Sequence, residues 1–250
     1  MIKSIFNLIL FEPLYNALVF LTGILPGANV GLAIILLTVI VRIILFPLYQ
    51  KTINNQKQMA LVQPEIKKIK EKYKAEKQKQ AEAILELYKE HNMNPFSGIL
   101  VTLIQIPIIL SMFFVFSRGF DLNLDILYSF ISQPEVVNTQ LLGFLDITQR
   151  SFIIAFLVAA SQYLQMNITL PKPSPKTKKS DNKPNFQEDM VRGMQTQMRY
   201  VLPGVIGIIA TTFPAAVGIY WITSNVFSLG QFLMVKRKKE DQVESEQNIK

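Results

Sequence analysis

The chain has 250 residues, of which 50% are hydrophobic and only 18% are charged, and its formal net charge is +8. A soluble domain of this length has shorter apolar runs and more charge, so the composition favours a polytopic membrane protein. The absence of cysteine excludes disulfides, thiol nucleophiles and a lipidated cysteine anchor.

Residues 1–28 are predicted to form an extracytoplasmic interfacial helix. Glu12-Pro13 lies at the centre of this stretch, and apolar residues follow helical spacing around it. Such a pattern is typical of a helix that lies on the membrane surface. The expected membrane-facing residues are Phe6, Ile9, Leu10, Leu14, Ala17, Leu18 and Leu21. The stretch is also long enough to span a bilayer, so an extra span or a signal segment, cleaved or retained, stays an open alternative.

Longer apolar blocks predict five further spans. A hydrocarbon core of about 30 Å needs about 20 helical residues. The block 200–235 is too long for one span and contains Pro214, which predicts two helices joined by a tight turn. The expected fold is an all-α integral membrane protein with a five-transmembrane-helix core. The predicted segments are first core span 29–50, cytoplasmic helical hairpin 51–94, second core span 95–117, extracytoplasmic loop 118–150, third core span 151–170, cytoplasmic linker 171–198, fourth core span 199–213, fifth core span 214–235 and basic cytoplasmic tail 236–250.

The distribution of basic residues sets the predicted topology. Ten Lys/Arg lie within residues 51–94, seven within 171–199 and five within 236–250. The loop 118–150 has only two, against four acidic residues. Because positively charged segments stay in the cytoplasm, five spans place the basic segments and the C-terminus inside and the acidic loop outside. The net charge then follows from topology, and nucleic acid is not expected as a primary ligand.

The segment 51–94 is predicted to be a hairpin of two helices. Apolar residues form a heptad seam in the first helix and a shorter stripe in the second, and Pro64 is expected to start or kink the first helix. A solvated charged linker is the alternative. The seam is Met59, Val62, Ile66, Ile69 and Tyr73, and the stripe is Ala81, Ile84, Leu85 and Tyr88.

Residue types that carry catalysis or bind metals are scarce in the predicted spans. His91 is the only histidine and lies outside them, and none of the five core spans contains Asp or Glu. This excludes a histidine metal site and the intramembrane carboxylates that most coupled transporters need. We expect no enzyme activity and no cofactor.

One arginine, Arg42, lies inside the first core span, four residues after Thr38 and on the same helix face. A charge at a helix centre costs about 2.5–3.5 kcal/mol. Because no core span supplies an acid, we expect Arg42 to face a water-filled cavity lined by polar residues of other spans. The alternatives are that Arg42 snorkels to the interface and that the polar residues form ordinary helix–helix hydrogen bonds. The polar residues are Thr102, Gln105, Ser161, Gln162, Gln165, Trp221, Ser224, Asn225 and Ser228.

Four linked motifs resemble the YidC/Oxa/Alb family of membrane protein insertases: "GLAIILLTVIVRIILFPL", "QPEIKKIKEKY", "ELYKEHNMNPFSGILVTLIQIPI" and "GIYWITSNVFSLGQ". The resemblance runs from about residue 10 to 235. It implies a five-helix core around a hydrophilic groove that is open to cytoplasm and lipid and closed outside, with a cytoplasmic hairpin. It also implies that Arg42 is the groove arginine and that Thr38 and Trp221 contact the substrate helix. Further groove positions implied by the resemblance are Gln105, Gln162, Tyr220, Ser224 and Asn225.

The function implied by the resemblance is insertion and folding of newly made membrane proteins in a bacterial cytoplasmic membrane, by a short form that lacks the large periplasmic domain. The implied partners are nascent membrane proteins and the lipid bilayer, with the ribosome and the Sec translocon as further candidates. The alternative function is a transporter or channel for a small anionic solute. That alternative predicts a pathway reachable from both sides, inverted repeats and a coupling acid, none of which is evident in the sequence.

Overall fold

The computed structural model describes residues 5–74, 76–91, 106–115, 126–132, 134–169, 193 and 196–247, and this part of the chain is mostly helical. The helices in chain order are α1 (Glu12–Ile24), α2 (Val30–Ile44), α3 (Phe46–Leu61), α4 (Gln63–Lys72), α5 (Lys77–Glu90), α6 (Ile106–Val115), α7 (Phe152–Thr169), α8 (Leu202–Ala210) and α9 (Ala215–Gln247). A π-helical turn, Asn7–Phe11, precedes α1, and a second, Gln197–Val201, precedes α8. A 3-10 turn, Pro26–Ala28, precedes α2, and the antiparallel strands β1 (Gln140–Leu141) and β2 (Leu145–Asp146) precede α7.

The chain divides into two compact units. One comprises Met1–Ile43 with Ile108–Lys250, and the other is Ile44–Pro107. By length and composition alone, two described helical stretches can cross a membrane, Asn7–Ile24 and Phe152–Thr169, and a third results if α2 and the start of α3 are counted together. The linker 171–198 lies almost entirely outside the described residues, and the second core span is described only over 106–115.

The smaller unit contains α3, α4 and α5. Pro64 lies in the first turn of α4, where its missing amide hydrogen costs no helical bond, and α4 packs against α5. The packed core is Val62, Ile66 and Leu87, flanked by Ile69, Ile84 and Tyr88. Burial raises the pKa of the Tyr88 hydroxyl by desolvating its anionic form.

One detail of the predicted second stripe is wrong. Leu85 is 52% exposed, whereas Leu87 is buried in the core. The facing side of α5 runs instead through Gln80, Ile84 and Leu87, because Gln80 is buried and donates from Nε2 to the Lys70 carbonyl at 3.0 Å. His91 is exposed, and its Nε2 lies 3.7 Å from Glu65 Oε2, an ion pair only when the imidazole is protonated.

The larger unit starts with α1, whose buried face differs from the predicted membrane-facing set. Leu18 and Leu21 of that set are only 3% and 7% exposed, so they face protein rather than lipid, and Asn16 is buried as well. The hydrogen bonds of Asn16 explain why α1 buries a different face from the one predicted. Its Nδ2 donates to the Ile126 carbonyl at 2.8 Å and its Oδ1 accepts from the Tyr128 amide at 2.7 Å. These two hydrogen bonds turn the polar side chain toward the loop rather than toward lipid.

The predicted first core span, 29–50, is not one continuous helix in the structure, because α2 ends at Ile44 and α3 begins at Phe46. Pro47 accounts for the break, because it has no amide hydrogen and its ring crowds the preceding turn. The break has an electrostatic consequence. Arg42 lies in the last turn of α2, where the negative end of the helix dipole stabilises a cation.

Described loop residues 126–132 and 134–151, here called the loop cap, meet the N-terminal ends of several helices. Val30 at the start of α2 donates to the Asn138 carbonyl at 3.0 Å. Ala215 and Ala216 at the start of α9 donate to Gln149 and Ile147 at 2.8 and 2.9 Å. These carbonyls satisfy amides that have no partner within their own helices.

Asn29 extends the contact between the loop cap and α2. Its Oδ1 accepts from the Leu32 amide at 3.0 Å as an N-cap, and its Nδ2 donates to the Gln140 carbonyl at 2.8 Å. Behind it, a side chain at Gly31 would collide with Leu141. Within the loop, hydrogen bonds from the Thr148 hydroxyl and amide hold the pKa of Asp146 below its usual value.

Helix α7 packs against both α8 and α9 through small residues. A Cβ at Gly207 of α8 would lie 2.7 Å from Ala159 Cβ, and a Cβ at Gly218 of α9 would overlap Ile154 Cγ2. Close approach of backbones through such residues is how helices associate in lipid, where apolar side chains gain little from leaving the tails. The buried residues of this contact are Ile154, Ala155, Val158, Ala210 and Ala215.

We predict that Gly218→Ala destabilises the α7–α9 contact by about 1–3 kcal/mol, the usual cost of overpacking. Ile154→Ala removes the colliding methyl group, so it should cost less stability in the Gly218→Ala background than in the wild type. The matched control is Gly204→Ala in α8, where a Cβ meets nothing within 4 Å, so its stability should not fall. Denaturant titration in bicelles measures the wild type and the four variants, and a Gly218→Ala variant as stable as the Gly204→Ala variant would contradict the packing.

Candidate functional site

Polar side chains of α7 and α9 form a cluster that consists of the buried Gln162 and Asn225 and the half-buried Ser161 and Trp221. Gln162 Oε1 accepts two hydrogen bonds, from Trp221 Nε1 at 3.2 Å and from Asn225 Nδ2 at 3.1 Å. Asn225 Nδ2 also donates to Ser161 Oγ at 3.0 Å. Gln162 and Asn225 are each only 5% exposed, so one glutamine oxygen ties together two donors from the facing helix.

Helical spacing explains why these residues meet. Trp221 and Asn225 are four residues apart and therefore lie on one face of α9. Ser161 and Gln162 are consecutive in α7, and the glycine contact at Gly218 brings the two helices close enough for direct hydrogen bonds. The cluster therefore depends on Gly218, which lies about one helical turn before Trp221 and allows α9 to approach α7.

The cluster retains hydrogen-bonding capacity. Within the part of the chain that the structure describes, Gln162 Nε2 and Asn225 Oδ1 make no hydrogen bond. The amide group of Gln162 Nε2, with two N–H donors, and the carbonyl oxygen of Asn225 are therefore left for water or for a polar segment of another chain. Ser224, which is 2% exposed, adds a buried hydroxyl without a partner among the described residues.

Thr38 and Arg42 lie one turn apart on α2, and both are buried, at 1% and 7% exposure. The Thr38 hydroxyl donates to the Ile34 carbonyl of its own helix at 2.6 Å. The same helix presents Leu36, Ile40 and Ile43 as exposed residues. Helix α2 therefore has an apolar exposed side and a side that carries a hydroxyl and a guanidinium into the protein.

Two further residues were predicted to line the site, Tyr220 and Gln105. Tyr220 is buried beside Trp221 in α9, at 2% exposure. Gln105 lies outside the described residues, so its place in the groove stays a prediction. The structure brings together Gln162, Trp221 and Asn225 by direct hydrogen bonds, and it buries Thr38, Arg42, Tyr220 and Ser224.

Sequence reasoning missed several buried polar residues, among them Arg199, Ser111 and Gln231, which lie within predicted core spans. Arg199, in the π-helical turn before α8, is 5% exposed, whereas the charge pattern grouped it with the basic residues of a cytoplasmic segment. Its position next to the apolar block 200–235 was the available signal. Ser111 of α6 is fully buried, and a lone serine in an apolar helix gave no signal of which face it occupies.

The chemistry available at this site is hydrogen bonding and charge attraction. Among the described residues no group of three or more His, Cys, Asp or Glu could hold a metal ion. The guanidinium and hydroxyl on α2, and the two amides between α7 and α9, are groups that can hydrogen-bond polar atoms where lipid tails cannot.

Comparisons with known proteins point to one family. The family model described as 60Kd inner membrane protein matches residues 20–242. A relative from Clostridium perfringens, named membrane protein insertase YidC, is 31% identical over 98% of this chain and 96% of its own length. Relatives of the same name from Helicobacter pylori and Wolinella succinogenes are 33% and 34% identical over 89% and 85% of this chain. The chain spans only 36% and 34% of the length of those two proteins.

We predict energetic coupling between Gln162 and Asn225. Each single change, Gln162→Leu or Asn225→Leu, strands a buried partner and should cost about 1–3 kcal/mol. The double variant should lose less than the sum, by about 0.6 kcal/mol or more, the usual coupling of such pairs in membranes. Gln165→Leu, on the same helix without a side-chain hydrogen bond among the described residues, is the control. Unfolding free energies in bicelles that simply add would contradict the shared hydrogen bond.

Proposed function

The chain belongs to the YidC/Oxa/Alb family of 60Kd inner membrane proteins, and on this premise we propose that it inserts and folds other membrane proteins in a bacterial inner membrane. The observation that carries the mechanism is the burial of Arg42 and Thr38 on one face of an otherwise apolar helix. Together with the Gln162–Trp221–Asn225 cluster, they are the lining of the proposed groove.

The barrier that such a groove lowers is the transfer of polar chain. An apolar helix enters lipid favourably, whereas the polar tail that must cross with it does not. A hydrated groove that reaches partway into the bilayer shortens the dry distance for that tail. The groove is proposed to open to the cytoplasm and to lipid, and to be closed at the end where the loop cap meets α2 and α9.

Arg42 is proposed to attract acidic groups of the crossing tail. Two opposite charges 4 Å apart interact by about 4 kcal/mol at an effective dielectric of 20, and hydration of the groove lowers this value. Gln162 Nε2 and Asn225 Oδ1 can hydrogen-bond the backbone of the same segment. The substrate helix then leaves sideways past Thr38 and Trp221 into lipid. The proposed activity makes and breaks no covalent bond, so it needs no catalytic residue.

The proposed topology places the loop cap outside and the hairpin of α4 and α5, together with the basic tail, in the cytoplasm. The five-helix core, the substrates and any action with the ribosome or the Sec translocon belong to the same proposal. Their support is the family membership and the asymmetric distribution of Lys and Arg.

We predict that Arg42→Ala slows insertion of a substrate with an acidic translocated tail about three- to tenfold, equivalent to about 0.7–1.4 kcal/mol of lost attraction. A matched substrate with a neutral tail should be affected less. Arg42→Lys should retain part of the activity, because attraction through water needs charge more than the planar guanidinium. The measurement is insertion into proteoliposomes that carry each variant.

The control for removal of an arginine charge is Arg150→Ala, since Arg150 is exposed in the loop cap. This variant should insert both substrates like the wild type. Equal insertion of the acidic substrate by wild type and Arg42→Ala would rule out the electrostatic role. Equal loss for acidic and neutral tails would instead indicate a structural role of Arg42.

A second prediction concerns topology. Because the chain has no cysteine, single cysteines report sidedness without background. Glu86→Cys in the hairpin and Lys239→Cys in the tail should react only with an impermeant maleimide on the cytoplasmic side, and Glu135→Cys in the loop cap only from outside. Reaction of position 239 from outside would overturn the five-span arrangement.

A further inference from the structure

The tip of the β1–β2 hairpin exposes two large apolar side chains. Residues 142–144 connect the strands, and Leu142 and Phe144 are 75% and 79% exposed. Residues 139–145 contain no charged side chain. A turn that faced water would normally be built from small and polar residues, so the composition of this tip needs another explanation.

The backbone conformation of the turn is one that leucine rarely adopts, yet Leu142 occupies it. Leu142 has φ of 56° and Gly143 has φ of 79°, and the Phe144 amide donates to the Leu141 carbonyl at 3.4 Å. Both central positions of this turn are left-handed, which favours asparagine or glycine. A leucine with positive φ is strained, and glycine or asparagine would relieve that strain. The turn conformation therefore disfavours the residue that occupies it.

The location of the hairpin indicates what the tip contacts. The strand β2 is followed within six residues by α7, which is apolar enough to cross a membrane. The first two residues of that helix, Phe152 and Ile153, are themselves 82% and 73% exposed. The same loop cap binds the first residues of α2 and α9. The hairpin is thus held at the level where the apolar helices begin, which is the level of a bilayer surface.

We propose that the hairpin tip is a membrane-interface anchor, with Leu142 and Phe144 inserted between the headgroups and the acyl chains of the adjacent leaflet. Phe152 and Ile153, at the start of the following helix, are exposed apolar residues as well, and the proposal places them against the same lipid surface. Two side chains at a turn are too few for a stable protein interface, which buries about 800 Å² on each partner, whereas lipid requires no minimum area. The anchor fixes the depth of the loop cap, and thereby the depth of the helix ends that the cap binds. This inference does not rest on the insertase function.

The test places an environment-sensitive fluorophore on a single cysteine, Phe144→Cys or Leu142→Cys, in the full chain reconstituted into liposomes of phosphatidylcholine and phosphatidylglycerol. Glu135→Cys, an exposed polar position of the same loop cap, is the control. We expect blue-shifted emission at positions 142 and 144. We also expect quenching by lipids with a nitroxide near the headgroup to be several times that at position 135. Quenching by lipids with a nitroxide at the bilayer centre should be weaker.

Two results would overturn the proposal. Water-like emission without lipid quenching at both 142 and 144 would show that the tip stays in solution. Blue-shifted emission that no spin-labelled lipid quenches would show that protein, either a second copy or another chain, covers the tip. The two reporter positions are independent, so a labelled cysteine that perturbs the turn at one of them leaves the other to decide.

Discussion

A polar group among apolar helices in a membrane must find a partner inside the protein or reach water, and this constraint accounts for the polar contacts at the ends of α2 and α9 and between α7 and α9. At the ends of α2 and α9, the first amides donate to carbonyls of the loop cap. Between α7 and α9, one glutamine oxygen accepts from both Trp221 and Asn225. Gln162 Nε2 and Asn225 Oδ1 take no part in these contacts, and they are the groups that we propose to hydrogen-bond a substrate.

Small residues make the polar cluster possible. Gly218 lets α9 approach Ile154 of α7, and Gly207 lets α8 approach Ala159 of the same helix. Because the hydrogen bonds between α7 and α9 are 3.0–3.2 Å long, a slightly larger separation of the helices would break them. Apolar packing and polar chemistry are therefore coupled in this part of the chain: the packing sets the distance at which the amides meet.

Local spacing predicted some of the site, and long-range contacts decided the rest. The shared faces of Thr38 with Arg42 and of Trp221 with Asn225 follow from a separation of four residues, which needs no tertiary information. The sequence placed both Gln162 and Gln165 among the polar residues of the predicted third span, and the rotation of α7 that buries Gln162 depends on its packing against α8 and α9. The buried face of α1 could not be predicted either, since Asn16 is positioned by loop residues more than 100 positions away. The break before Phe46 was predictable from Pro47, but the apolar run concealed it.

Water access to the buried face of α2 tests the central claim most directly. Thr38→Cys is close in size to the native residue, and Ile40→Cys places the same thiol on the exposed apolar side of α2 as a control. If the groove is hydrated and closed at the loop cap, a hydrophilic impermeant thiol reagent should modify position 38 from the cytoplasmic side only and should not modify position 40. An unreactive position 38 would contradict a hydrated groove, and reaction from both sides would indicate a channel instead.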